Sequence, residues 1–286
     1  MHGKLCIEAP WLNLDLSMYP SFLSSLYSFS SPGVWTRRLW PGKGSLLYQD
    51  GDRLCCSGDW CSHRLLEGVS GAWCIGACRS YRPRYQGLIV SAALEPIDRI
   101  LVASAVVLSR RTSYATNVRR WMLEIFGDKW SIEDAIERAR RLRSPQPRAL
   151  AMVFDKLVEV LDEADDPWRA REKLLRLPGI GPKTADAILL FTGLTTSVAP
   201  ADTHLERQSY KLGIVGARRP AKQLCLAGGP VCHKCRYRGV CLSGRIVSAY
   251  DGAAGLVQTE AYVADRLGYK GWRRKLYTEL KRYYRA

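Results

Sequence analysis

The sequence predicts an α+β protein, mainly α, with an N-terminal β-rich domain and a C-terminal cysteine loop. Three observations carry this. Residues 1–92 are rich in Ser, Gly, Trp and Tyr, and short apolar runs alternate there with turn signals. From Leu94 onward, apolar residues recur at helical spacing. Four cysteines, Cys225, Cys232, Cys235 and Cys241, then crowd into 17 residues. The expected division is therefore 1–92 β-rich, 93–210 helical, 211–245 cysteine loop, and 246–286 a basic-aromatic helical tail.

Each element has a local reason. Ser45–Leu54 places Asp50-Gly51 between apolar flanks, a hairpin signal. Pro96–Ser109 carries Ile97, Ile100, Leu101, Ala105 and Leu108 on one helical face, and a second helix is expected near Tyr114–Phe126. Ser131 with Asp134 three residues on is a capping-box variant opening Ser131–Leu142. Pro145 and Pro147 break the pattern, and Leu150–Leu161, Pro167–Leu177 and Lys183–Gly193 resume it. Gly255–Leu267 is a further helix.

Charge narrows the partners. With 43 Lys+Arg against 27 Asp+Glu, the chain carries a formal +16. Such an excess attracts polyanions: nucleic acid first, an acidic membrane surface as the rival. The longest apolar stretches, Ile100–Leu108 and Ala187–Phe191, fall far short of the ~20 residues a membrane span needs. The N-terminus lacks the apolar stretch of a signal peptide. A cytoplasmic, nucleoid-associated monomer with no membrane contact is the expectation.

The most informative stretch is Leu174–Phe191, LLRLPGIGPKTADAILLF. An amphipathic helix ends at Leu177, Pro-Gly-Ile-Gly reverses the chain, and Pro182 opens a second helix. Gly179 and Gly181 permit turns and close approaches that side chains would block. The first N–H groups of the second helix then point outward, positively polarised and unpaired, as an anion site. An ordinary helical hairpin is the bland alternative for a bare Gly-x-Gly.

LPGIGPKTADAILLF followed by VAPADTHLERQSYKLGI resembles the helix-hairpin-helix, Gly/Pro-Asp signature of endonuclease III-like base-excision DNA glycosylases, over about residues 93–245. The resemblance implies a helix-hairpin-helix glycosylase barrel, with hairpin and catalytic acid at the mouth of a cleft and lesion-bearing or mismatched duplex DNA as partner. It places the catalytic aspartate on Asp202. Excising a base builds positive charge on the deoxyribose, which a fixed carboxylate stabilises. Asp202 also suits a helix N-cap. Lyase-type members carry lysine just after the hairpin, and this chain has Lys183 there. A desolvated amine attacks C1′, expels the base and forms a Schiff base, and β-elimination then nicks the strand. Phosphate binding by Lys183, with water as nucleophile, is the rival; a non-catalytic DNA-binding module is a third reading. His204 and Glu206 are read as helix surface or packing.

Cys225-x6-Cys232-x2-Cys235-x5-Cys241 has the spacing these enzymes use for a [4Fe–4S] cluster. Four thiolates alone leave zinc open; the resemblance implies the cluster. Lys234 and Arg236, with His233 and Arg238, make this loop basic and suited to DNA phosphates. Only 22 residues separate Asp202 from Cys225, fewer than family members usually have. The lysines, arginines, tyrosines and Trp272 of the tail are suited equally to stacking and phosphate contact or to a solvated helix over the core. Leu108–Val118 matches the segment that in the family fills the gap left by the flipped base, with the usual glutamine position on Arg111; phosphate contact by Arg110 and Arg111 is the alternative. Its Arg-Arg-Thr is similar to archaeal thymine-mismatch glycosylases, whereas Lys183 is similar to the lyases. The N-terminal region weakly resembles the extra sheet domain of 8-oxoguanine and alkyl-base glycosylases. Cys56, Cys61, Cys74 and Cys78 with His63 leave a second metal site, disulfides or simple apolar burial open. Oxidised pyrimidine, thymine or uracil opposite guanine, and 8-oxoguanine all remain as target bases.

Overall fold

The computed structural model describes residues 3–285. Five antiparallel strands, β1 (Lys4–Glu8), β2 (Tyr27–Ser31), β3 (Val34–Arg37), β4 (Leu46–Asp50) and β5 (Arg53–Ser57), form one sheet in the order β1-β5-β4-β3-β2. The expected hairpin is β4–β5, turning at Gly51 with φ +60°, a conformation glycine adopts without cost. Three short helices accompany the sheet: α1 (Leu14–Met18), α2 (His63–Ser70) and α3 (Ile75–Cys78).

The helical part begins with α4 (Pro96–Leu108), where ten of thirteen residues are buried. A helix apolar on nearly every side belongs at the centre of a bundle. Around it lie α5 (Arg119–Phe126), α6 (Ile132–Arg141), α7 (Pro145–Ala151), α8 (Phe154–Asp162), α9 (Pro167–Arg176) and α10 (Pro182–Phe191). Both arms of the expected capping box form at α6: Asp134 N donates to Ser131 Oγ at 3.1 Å, and Ser131 N to Asp134 Oδ2 at 2.9 Å. Two expectations are corrected. Pro145 and Pro147 start α7 rather than breaking a helix, because a proline's missing N–H costs nothing in the first turn. The segment before α5 is a π-helical turn, Tyr114–Val118, not α-helix.

Beyond α10 come α11 (Thr203–Gln208), α12 (Lys222–Gly228), α13 (Leu242–Tyr250), α14 (Ala254–Leu267) and α15 (Trp272–Tyr283). The main apolar core runs without interruption from the sheet through α4 to α15. A smaller core, including Leu205, Cys232, Leu242, Ile246 and Val257, lies beneath the cysteine loop. In the tail, Tyr277, Tyr283 and Tyr284 pack on the main core while Lys281 and Arg282 stay exposed, so the tail is a helix laid over the core.

Sheet and bundle are joined by a buried ion pair. Arg37 of β3 forks onto Asp98 of α4, NH1 to Oδ2 at 3.1 Å and NH2 to Oδ1 at 2.6 Å, and both side chains are fully buried. Trp60 Nε1 donates to the same carboxylate at 3.0 Å. Cys6–Cys55, a cross-strand pair, and Cys56–Cys61 are disulfides. This overturns the second-metal option, since oxidised Cys56 and Cys61 have no thiolate to offer; Cys74 and Cys78 are free and buried. Among the described residues, no helix is long and apolar enough to cross a membrane.

Candidate active site

The hairpin forms where the sequence places it. Gly179 takes φ +72°, which a side-chain-bearing residue resists, and its carbonyl accepts from Arg110 NH1. Gly181 does something different. It is the N-cap of α10 in ordinary extended conformation, and nothing lies within 4 Å of where its Cβ would sit. Its missing side chain leaves the first N–H groups of α10 facing open space.

This helix start borders a cavity of about 1180 Å³. Gly179, Gly181, Lys183, Asp202, Arg110 and Arg111 all line it, so six of the eight residues expected to catalyse or to bind DNA converge there. Lys234 and Arg236 do not; they are exposed on the cysteine loop, Arg236 stacked 4.8 Å from the Tyr237 ring centroid. Arg111 adopts φ +52°, a strained conformation for an arginine and one concentrated at functional sites. The Arg110 carbonyl is held by Gln146 Nε2 at 3.0 Å.

Lys183 sits one residue into α10, its Nζ 5.7 Å from the centroid of Phe22. Burial pushes its ammonium below the ordinary lysine range, and the Asp202 carboxylate opposes that shift. Asp202 is the N-cap of α11 as well as a cavity residue. Its Oδ1 accepts from Leu205 N at 2.8 Å and its Oδ2 from Gln258 Nε2 at 3.2 Å. The carboxylate is thus fixed in place before anything enters the cleft. Gln258 is 4% exposed, and its Oε1 has no hydrogen-bond partner among the described residues. An amide oriented by donation to a carboxylate therefore offers a bare acceptor in a buried position.

Of the aromatic wall that remains, only Tyr114 falls within a motif segment, Leu108–Val118. Tyr19, Phe22, Tyr114, Tyr262 and Tyr284 form an aromatic enclosure, with Phe22 edge-on to Tyr114 at 5.3 Å and Tyr19 at 6.0 Å from Tyr262. Arg266 and Glu279 complete it from α14 and α15. His204, expected as surface or packing, also lines the cavity; its Nδ1 lies 2.7 Å from Asp265 Oδ2, and its ring packs 4.7 Å from Tyr262. Glu206 pairs with Arg219, another cavity residue. Helical spacing in the tail was the one available signal for Glu279 and Tyr283; the pairing across the cleft had none.

The cysteine loop rests on the back of the hairpin. Arg171 of α9 pairs with Asp186 of α10, donates to the Pro230 carbonyl at 2.9 Å, and points NH2 at Cys225 Sγ, 4.0 Å away. Burial pushes the thiols of Cys225, Cys232 and Cys241 up, and each also feels the charge of another member of the set. Backbone N–H groups of Gly244 and Ser243 point at Cys241. Thiols held above the ordinary cysteine range are weak nucleophiles, and a bound metal would supply the positive charge that favours their thiolates. A Cβ on Gly228 would lie 2.6 Å from Cys235 Sγ, so a larger residue there would displace that sulfur. Among the described residues no three His, Cys, Asp or Glu side chains converge on the geometry of a single metal ion. A cluster spreads its thiolates wider than one ion does, and the four-thiol set fits it in chemistry.

Residues 169–191, the α9–α10 hairpin, match the family model of the helix-hairpin-helix motif. The chain is 26% identical to endonuclease III of Synechocystis sp. over 146 residues, and 47% identical to endonuclease III of Thermotoga maritima over 49 residues. These matches cover 42% and 17% of this chain, and 65% and 22% of the two relatives' own lengths. Among solved structures, Clostridium acetobutylicum 8-oxoguanine glycosylase/lyase in complex with double-stranded DNA aligns with a TM-score of 0.61 at 13% identity, covering 92% of this chain and 97% of that one. Archaeoglobus fulgidus 3-methyladenine DNA-glycosylase aligns at 0.60 and 16%, covering 92% and 98%. The chain thus carries the helix-hairpin-helix motif and has the fold of these DNA glycosylases. The structural likenesses cover 92% of the chain, so it shares that fold along nearly its whole length.

Proposed function

We propose that this chain is a base-excision repair DNA glycosylase with β-elimination lyase activity, acting as a monomer on a damaged or mispaired base flipped from duplex DNA. The observation that carries the reading is Lys183, an amine whose proton is loosened by burial, sharing a cavity with the fixed carboxylate of Asp202. Binding alone requires neither residue. The endonuclease III relatives and the glycosylase/lyase neighbour support the same class.

In this mechanism the open N–H groups of α10, with Arg110 and Arg111, take DNA phosphates and position the strand. The neutral Lys183 amine attacks C1′ while the glycosidic bond breaks, its electron pair leaving with the base, which gains a proton. Asp202 stabilises the positive charge that develops on the sugar. Loss of the amine's proton and opening of the ring at O4′ give the Schiff base. Removal of a C2′ proton then expels the 3′ phosphate. Asp202, already within the cavity, is the proton acceptor and relay. The aromatic enclosure receives the flipped base by stacking, and Gln258 Oε1 offers its edge an acceptor. Cys225, Cys232, Cys235 and Cys241 would hold a [4Fe–4S] cluster, whose part is to order the loop that presents Lys234 and Arg236 to phosphates. The division into β-rich domain, helical domain, cysteine loop and tail belongs to this reading.

Borohydride trapping on duplexes carrying thymine glycol, 8-oxoguanine, a T·G or U·G mispair, or an abasic site tests it. A covalent band on one lesion duplex and on the abasic duplex is expected. Alkali-labile sites without a band would make water the nucleophile and remove Lys183 from its role.

A further inference from the structure

Glu279 reaches the cavity from α15 with one carboxylate oxygen committed and the other bare. Its Oε2 accepts from Tyr19 OH at 3.2 Å and from Arg266 NH2 at 2.5 Å. Its Oε1 has no hydrogen-bond partner among the described residues. We infer that Glu279 is a specificity-determining residue of the base pocket, accepting through Oε1 from an N–H donor on the edge of the flipped base. The inference rests on the glycosylase reading above and adds a chemical class to it: a base whose edge carries lactam or amino N–H groups.

A plain helix latch explains the arrangement less well. A guanidinium that grips a carboxylate frequently takes both oxygens with its planar fork, as Arg37 does on Asp98. Arg266 instead gives its Nε to Tyr19 OH at 3.3 Å and leaves Oε1 alone. The pair is also partly exposed, Arg266 by 41% and Glu279 by 26%, where ion pairs add little stability. The end of α15 is already secured elsewhere. The Tyr284 carbonyl accepts from Phe29 N at 2.7 Å and Arg119 NH2 at 3.2 Å, and Tyr284 OH donates to the Tyr19 carbonyl at 3.3 Å. Glu279 is therefore not needed to dock the helix, yet it is held firmly on a cavity wall beside Tyr19. With two donors on Oε2, Oε1 is the oxygen left for a further donor. A base presenting only acceptors or alkylated nitrogens to that oxygen would leave it unpaired, and sites built on such a bond reject analogues that lack the donor.

The test compares full-length wild type, Glu279→Gln and Tyr19→Phe in single-turnover reactions on the lesion duplex that wild type cleaves and on an abasic duplex, which has no base to read. Glu279→Gln keeps an oxygen for Arg266 and Tyr19 but turns a donor inward. Its rate on the base-bearing duplex is expected to fall roughly tenfold or more beyond any fall on the abasic duplex, the scale of one lost buried hydrogen bond. Tyr19→Phe, which loosens Oε2 only, should fall in the same sense by about threefold. Equal changes on the two duplexes, or none, overturn the inference, and Tyr19→Phe alone decides the matter if Glu279→Gln does not fold. Wild type inert on every duplex would instead sink the glycosylase reading, and the inference with it.

Discussion

Arg171 and Asp186 join the two helices of the hairpin on their buried side, Nε to Oδ1 at 2.6 Å, with side-chain exposures of 1% and 0%. Burial opposes the arginine's charge, and the Asp186 carboxylate more than restores it, holding the guanidinium ionised. The same guanidinium touches the cysteine loop through Pro230 and Cys225. One ion pair therefore sets both the hairpin that faces the cavity and the seat of the loop behind it.

Removing one partner should be far worse than removing both. Asp186→Leu leaves a buried guanidinium unpaired, and about 3–5 kcal/mol of stability should go with it. Arg171→Met with Asp186→Leu should recover most of that loss. Urea unfolding of the two variants checks the order; a double variant as unstable as the single one would mean that the arginine's bonds to the loop, not the pair, carry the stability.

How much of this is legible in sequence depends on range. The hairpin, the capping box at Ser131 and the cap at Asp202 are written in neighbouring residues, and all three form as read. Pro145 and Pro147 mislead because a proline's meaning depends on whether it falls in a first turn, which the helix pattern alone does not fix. The aromatic and ionic wall is hidden. Tyr19 meets Glu279 across 260 residues, and Arg37 meets Asp98 across 61, by tertiary packing that no periodicity encodes. Cys6 and Cys55 are unassigned thiols until strand register sets them opposite each other.

Lys183 should show its lowered proton affinity in kinetics. Trapping on an abasic duplex should rise with pH through a limb below the ordinary lysine range, since only the neutral amine attacks. Asp202→Asn removes the carboxylate that holds the proton on, so the limb should move to lower pH. Lys183→Gln should abolish trapping while leaving duplex affinity nearly intact. Trapping that survived in Lys183→Gln would assign the chemistry to another amine.

Asp202 is both cap and electrostatic partner, and two substitutions separate the roles. Asparagine keeps an oxygen for Leu205 N, so Asp202→Asn should fold normally yet excise a base ~10²–10⁴-fold more slowly. Asp202→Ala should lose the rate and also about 1 kcal/mol of stability, the usual value of an N-cap. A near-wild-type excision rate for Asp202→Asn would reduce the residue to a cap.

The cysteine loop should report through iron. Protein purified without oxygen should carry iron and acid-labile sulfide with visible absorption, and Cys232→Ser, at the most buried of the four positions, should lose both. Stripping the metal should loosen the loop. Protease cleavage between Cys225 and Cys241 should then accelerate.

Lys234 and Arg236 stand outside the cavity, exposed on that loop, and their contribution to binding should be charge alone. Each alanine substitution should weaken affinity for every duplex sequence alike and reduce the slope of log K against log salt by about 1. Arg110 and Arg111 differ because they line the cavity, and Arg110 also grips the Gly179 carbonyl. Arg110→Ala should therefore lower the excision rate on a lesion duplex beyond its effect on affinity, since it frees the turn that aims α10. Salt titrations of binding beside single-turnover rates resolve the two patterns. Equal losses in rate and affinity for Arg110→Ala would make it one more phosphate contact.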